Sequence, residues 1–224
     1  RYGTVTGVQT CALPISCYHN MIPFLCPTLP DVQKRALRYG EKTPLVSSNV
    51  LLRSGRFLER SGLGAFYAPG RMHAQGWALG RCLGRYQSGW NPDDPMVLQL
   101  FGTTIDGPVG ASMREQYRAG RHRMLAMSFE DFEREIRIHL GGMLGGGGFD
   151  AARDILAITV NRWPHGYAYE RNTLFDPDWP EGQAPNEIGR RRFGPIAIAN
   201  SDADRKSTRL NSSHSSVSRM PSSA

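Results

Sequence analysis

The sequence has only 4 cysteines in 224 residues, and none sits in a CxxC or CxxCH spacing. That argues against a metal knuckle, a haem attachment site and a full disulfide framework. No apolar run approaches the roughly 18 residues a membrane-crossing helix needs, so no membrane span is expected. There is no internal repeat, and no glycine loop ends in GK[ST]. Acidic residues are the scarcer charge, 20 Asp+Glu against 27 Lys+Arg, for a formal +7. Such a surplus invites a nucleic-acid or anionic-membrane reading, because clustered cations neutralise phosphates. The 40% hydrophobic content is enough for the core of one or two globular domains and excludes a fully disordered chain.

The charge is unevenly placed. Arg1, Arg205, Lys206, Arg209 and Arg219, set against Asp204, put four of the seven net charges at the two ends. Residues 204–224, DRKSTRLNSSHSSVSRMPSSA, offer only Leu210, Val217 and Met220 as aliphatic or Met positions, too little burial to offset chain entropy. The stretch resembles the translation of a short-read sequencing adapter, and residues 5–15, VTGVQTCALPI, resemble the matching adapter from the other end. Residues 1–16 and 204–224 are therefore expected to be adapter-like and not native, with 204–224 disordered, and residues 17–203 to be a fragment of a longer protein. The nucleic-acid reading rests almost wholly on the tail, so no nucleic-acid partner is expected. Cys11 goes with the adapter-like end and leaves Cys17, Cys26 and Cys82, an odd number.

Along residues 17–203 the patterning predicts a mixed fold. The prolines of MIPFLCPTLP (residues 21–30) favour an extended segment or loop over a long helix. Pro30 and Asp31 suit the start of a short helix with Val32, Ala36 and Tyr39 on one side, closed by Gly40. PLVSSNVLL (44–52), MVLQLF (96–101), ILAITV (155–160) and FGPIAIA (193–199) read as strands. Residues 53–90 read as loops and short strands. Ser112 with Glu115, and Ser128 with Asp131, have capping-box spacing ahead of two helices. The first carries Met113, Tyr117, Gly120 and Met124, and the second carries Phe129, Phe132, Ile136 and Leu140 on one face with Glu133 and Arg137 paired at i,i+4. Gly141 and Gly142 are expected to stop the second helix, residues 141–148 to form a flexible connector, and residues 149–154 a turn.

The densest cluster of chemistry-bearing side chains is NRWPHGYAYE (161–170), which follows a strand and gathers Trp163, His165, Tyr167 and Tyr169. Side chains at a strand end are held by a rigid element yet can face a pocket. Aromatic walls stack on a flat cofactor or enclose an amine by cation–π attraction, and they equally pack a domain interface. Asp93, Asp94 and Asp106 lie in loops where a carboxylate can face a cationic amine.

ITVNRWPHGYAYERNTLFDP and RRRFGPIAIANSDA resemble the C-terminal part of the flavin-dependent amine oxidase superfamily, most closely the bacterial spermidine dehydrogenase-like FAD/NAD(P)-binding oxidoreductases. HNMIPFLCPTLPDVQKRALRYGEKTPLV and REQYRAGRHRMLAMSFEDFEREI are similar to segments of the same proteins. The resemblance implies an α+β chain, a substrate domain plus an incomplete α/β FAD-binding domain. Residues 17–45 would leave the FAD domain, 46–154 form the substrate domain, and 155–203 return. It implies a flavin beside Gly166 and Tyr167, an aromatic enclosure from Trp163, His165, Tyr167 and Tyr169 as the catalytic group, and a cofactor-lining turn at Asn200, Ser201 and Asp202. No metal is implied. FAD would accept a hydride equivalent from a small-molecule amine while the protein orients both. The GxGxxG phosphate-binding turn would lie N-terminal to this sequence, so the isolated chain is expected to bind FAD poorly. Location in the bacterial periplasm or cytoplasm is left open. Two alternatives also stay open: a related two-domain flavoenzyme with another substrate, and a non-catalytic structural relative.

Overall fold

A computed structural model describes residues 13–79, 91–169, 171 and 176–203. Residues 5–12, 204–224, Cys11 and Cys82, to which the sequence assigned roles, lie outside the described residues. Cys17 and Cys26 are both free thiols. The chain divides into two compact units, residues 43–166 and, on either side of them, residues 1–42 with 167–224.

The central unit is built on an antiparallel five-stranded sheet. In chain order its strands are β2 (Leu45–Leu52), β3 (Ala65–Tyr67), β4 (Gln75–Leu79), β5 (Met96–Thr103) and β6 (Ile155–Trp163), arranged β3-β4-β5-β2-β6. Alternation decides which face is covered: Val46, Ser48, Val50 and Leu52 of β2 and Met96, Leu98 and Leu100 of β5 are buried, while Ser47, Asn49, Leu51, Val97, Gln99 and Phe101 between them are half-exposed. Val50 stands opposite Leu98 on one side and Ile158 on the other. Two helices, α4 (Met113–Ala126) and α5 (Phe129–Leu144), supply the partners for that face. Ile136, Leu140 and Leu144 join the cluster around Val50 and Leu98, and Met124 with Phe132 covers Val46. Both expected capping boxes form, Ser112 with Glu115 and Ser128 with Asp131. Gly120 of α4 lies where a Cβ would meet the Thr104 carbonyl oxygen at 1.9 Å, so only glycine lets this helix approach so closely.

Five expectations are corrected in this unit. Residues 53–90 include a helical turn, α3 (Arg56–Arg60), whose Leu58 is buried in the core. Gly141 and Gly142 do not stop α5, which runs on to Leu144 and into a turn at Gly145–Gly147; the connector at 141–148 is therefore largely helical. Burial of Ile136, Leu140 and Leu144 at i, i+4 and i+8 outweighs the low helix propensity of two glycines. The helical run ends at Gly148, at φ 85°. The turn at 149–154 contains a helical turn, α6 (Ala151–Asp154), and β6 runs three residues past Val160, taking in Asn161, Arg162 and Trp163. A Cβ on Gly141 or Gly142 would meet nothing within 4 Å. Gly141→Ala and Gly142→Ala are each expected to stabilise the protein by about 0.5–1 kcal/mol, read as a higher urea midpoint at unchanged slope.

In the flanking unit, β1 (Leu13–Ile15) pairs in parallel with β7 (Ile196–Ile198). Around this pair stand α1 (Ile22–Leu25), α2 (Asp31–Leu37) and α7 (Pro185–Gly189). Ile22, Leu29, Leu37 and Ile198 form its core. The buried face of α2 is Gln33 and Leu37, not Val32, Ala36 and Tyr39: the helix ends before Tyr39, and Val32 is exposed. Gln33 turns inward because its amide donates to the carbonyls of Gly189 (3.0 Å) and Arg191 (2.6 Å), which lie where α7 ends without helical partners. The strand expected over 193–199 narrows to Ile196–Ile198, with Phe193 bridged to Ile196 across a tight turn.

Candidate functional site

The implied site residues fall on both units. Trp163, His165 and Gly166 belong to residues 43–166, and Tyr167, Tyr169, Asn200, Ser201 and Asp202 to the flanking unit. Trp163 ends β6 and is 55% exposed, and Tyr167 is 66% exposed. Gly166 donates its N–H to the Thr43 carbonyl at 2.9 Å, and a Cβ there would lie 2.3 Å from Leu45 Cδ1. The glycine is thus required by close packing against β2 itself.

Tyr169 and Asp202 do come together, in a cavity of the flanking unit lined also by His19, Tyr39, Arg171, Trp179 and Asn186. Its aromatic wall is assembled from distant sequence. The Tyr39 ring meets Tyr169 edge-to-face at 5.9 Å and Trp179 at 5.4 Å. Asp176 fixes the pair, accepting a hydrogen bond from Tyr39 Oη at 2.6 Å and another from Tyr169 Oη. Tyr169 also needs Gly40, where a Cβ would approach its own Cβ to 2.9 Å.

The turn after β7 makes the other wall. Asn200 Nδ2 donates to the Cys17 carbonyl at 2.5 Å, and its Oδ1 accepts the Ala203 N–H, which pins the turn to the N-terminal segment. Ser201 is exposed. Asp202 accepts from Lys42 Nζ at 2.5 Å on one oxygen and from the His19 N–H at 3.0 Å on the other. Both charged side chains are buried, at 3% and 7% exposure, and the Lys42 ammonium also stands 4.4 Å from the centre of the Tyr18 ring. Burial pushes the His19 imidazole down to about 4, outweighing attraction to Asp202, so the ring is neutral at pH 7. Its Nε2 is buried with no hydrogen-bond partner.

His19, Lys42, Tyr39, Asp176 and Trp179 were not singled out from the sequence. His19 lies 183 residues from Asp202, and a lone histidine or lysine carries no local mark of such a partner. The segment containing His19, Tyr39 and Lys42 was flagged only by its resemblance as a whole.

An isoalloxazine does not fit here. The cavity holds about 40 Å³, room for roughly two or three waters, whereas ligand pockets run to roughly 300–1,000 Å³. The sequence offers no convincing strand-to-helix GxGxxG turn for a pyrophosphate. The described residues therefore do not make a complete flavin site, and no group of three metal-ligating side chains stands among them.

No family profile matches the sequence, and no curated protein does. Solved structures do match. An A394C mutant of putrescine oxidase, from a redesign of its cofactor binding, superposes with a TM-score of 0.58 at 16% identity, over 88% of this chain and 38% of that one. Wild-type putrescine oxidase bound to putrescine gives 0.56 at 15% identity, over the same shares. Cyclohexylamine oxidase from Brevibacterium oxydans IH-35A gives 0.55 at 15% identity, over 87% of this chain and 38% of its own. The fold is therefore similar to part of these structures, and the chain spans under two-fifths of their length.

Proposed function

We propose that this chain is part of an FAD-dependent oxidoreductase that oxidises a C–N bond of an amine or polyamine, a spermidine dehydrogenase-like protein in which further sequence supplies the phosphate-binding half of the cofactor site. The observation that carries the reading is the fold: 86–88% of the chain, including both units, superposes on amine oxidases. In this reading the Tyr39–Tyr169–Trp179 wall and the Ala199–Asp202 turn, both in the flanking unit, are part of what this chain contributes to a site that further sequence completes. An amine carries a positive charge at pH 7, which such rings attract.

The chain expressed alone should purify colourless, without visible flavin absorption. The product of the complete gene should carry a GxGxxG strand–turn–helix, take up FAD and oxidise putrescine or spermidine. A stoichiometric flavin spectrum from the isolated chain would overturn the division of the site, and a complete gene without that turn would overturn the flavoenzyme reading itself.

A further inference from the structure

The sheet of the central unit ends on one side in an open strand. In the order β3-β4-β5-β2-β6, β6 pairs with β2 alone among the described residues, while the opposite edge, β3, is only three residues long. The ladder fixes which backbone groups of β6 point outward. The Thr104 N–H donates to the Pro44 carbonyl at 3.2 Å, in register with the β2–β5 pairing, so the even-numbered residues of β2 bond to β5. The odd-numbered ones bond on the β6 side. At the two ends of β2 the Thr43 carbonyl accepts from Gly166 and the Arg53 N–H donates to Asp154, each at 2.9 Å. The partners of Leu45, Ser47, Asn49 and Leu51 on β6 are Trp163, Asn161, Thr159 and Ala157. That leaves the N–H and C=O of Ile158, Val160 and Arg162 directed away from the sheet.

Edge strands are ordinarily blunted by lysine, proline, bulges or shortness. β6 runs for nine residues, Ile155–Trp163, without lysine, proline or an acid. One bulge, where the register with β2 skips Leu156, confines the regular edge to Ala157–Trp163. The single charge, Arg162, donates to the carbonyls of Leu125 (3.3 Å) and Met127 (3.2 Å), so its guanidinium is engaged at the end of α4. Ala157, Thr159, Asn161 and Arg162 are all exposed, as an open edge requires.

We propose that β6 pairs with the same strand of a second copy of this chain, antiparallel about a two-fold axis through Val160, so that two five-stranded sheets join into one of ten strands. Only another extended chain offers donors and acceptors at the spacing of this edge, and β6 is complementary to itself. Val160 exchanges both of its bonds with the partner's Val160, and Ile158 exchanges both with the partner's Arg162. Thr159 then stands opposite the partner's Asn161 on the open face, while the β-branched Ile158 and Val160 share the helix-covered face. The two Arg162 side chains lie about 13 Å apart along the strands, so no like charges meet. A foreign strand would have to match this alternation, whereas a second copy supplies it by symmetry.

The test is sedimentation velocity of the full 224-residue chain over a range of concentrations. The mass is expected to rise from that of one chain to that of two and no further, because a two-fold pairing uses up the edge. Raised salt should not weaken the dimer, since backbone groups make the contact and two chains of +7 repel each other. Val160→Pro removes one outward N–H from each copy and no bond to β2, and should weaken dimerisation about thirtyfold. Thr159→Cys with Asn161→Cys in one chain gives a second readout that does not depend on the proline variant folding. Paired positions of this kind have Cα atoms about 4.5 Å apart, within disulfide reach, so oxidation should yield a covalent dimer. Thr159→Cys alone should not, its counterpart being offset by two residues. A chain that stays monomeric at the highest concentration, assembly beyond two copies, a dimer that dissociates as salt is raised or that a folded Val160→Pro protein keeps unchanged, or cross-linking no greater in the double-cysteine protein than in the single one overturns the proposal.

Discussion

Replacing Lys42 by methionine is expected to lower stability by about 3–5 kcal/mol, because it leaves the Asp202 carboxylate buried without its counter-charge. Two ions taken out of water are tolerated here only because each meets the other at 2.5 Å and Asp202 also accepts the His19 N–H. Asp202→Asn should be destabilising for the mirror reason, with the ammonium left facing an amide. The double change, Lys42→Met with Asp202→Asn, should recover most of the loss, since the asparagine oxygen still accepts from His19 and no charge remains buried. Urea unfolding of the four proteins gives the coupling directly. A single-variant loss below about 1 kcal/mol would mean that the pair is solvated in solution, as exposed pairs are.

Acidification is expected to destabilise the protein between pH 6.5 and about 4, through two histidines that fold in the neutral form. His73 is 2% exposed and is bonded to Ser48 Oγ at 2.9 Å. Burial, with a lesser push from His139, lowers it from 6.5 to about 4. His19 moves as far, again through burial first. A base whose folded value is depressed keeps its stabilising contribution in full above its unfolded value. As the pH falls through 6.5 the unfolded chain takes up a proton the folded chain refuses, so stability falls until about pH 4 and then levels off. A shift of this size corresponds to about 3 kcal/mol for each group. His139, 7% exposed, is lowered by burial first and then by Arg71, against Glu135, and adds in the same direction. His73→Asn should flatten the profile of the central unit by about one proton's worth of slope, measured as urea midpoints across that range. An unchanged slope would place the titration elsewhere.

Much of the central unit could be read in the sequence because its signals are local. A Ser at the N-cap with Glu or Asp three residues on satisfies the first backbone donors of α4 and α5, and the apolar spacing that follows holds along the whole helix. The runs at 44–52, 96–101 and 155–160 all became strands because β-branched and aliphatic residues fit a half-buried pleat. The end of α5 misled because glycine marks a stop only where packing is indifferent, and Leu144 is fully buried one turn beyond Leu140. Gln33 misled for a related reason. A glutamine scores as surface until the carbonyls it satisfies are known.

The site was less legible. A cluster such as 161–170 announces that aromatic and titratable groups are near one another along the chain, and four of its members look like one wall. The fold distributes them between two units, and Tyr169 takes its partners from Tyr39 and Trp179. The resemblance did mark the turn at Asn200 and Asp202, and the structure shows what holds that turn: Cys17 for the first and Lys42 with His19 for the second.

What the sequence determined by itself was therefore the set of elements, their caps, the excess of cations at the two ends and a likeness in outline to amine oxidases. Those depend on neighbours within about one helical turn or one strand. Only the tertiary structure decided the sheet order, the run of α5 through its glycines, the aromatic cavity and the burial of Lys42 against Asp202. Each of these depends on groups brought together from far apart in the chain, and whether a lysine is a surface charge or half of a buried pair is settled by what the fold places opposite it.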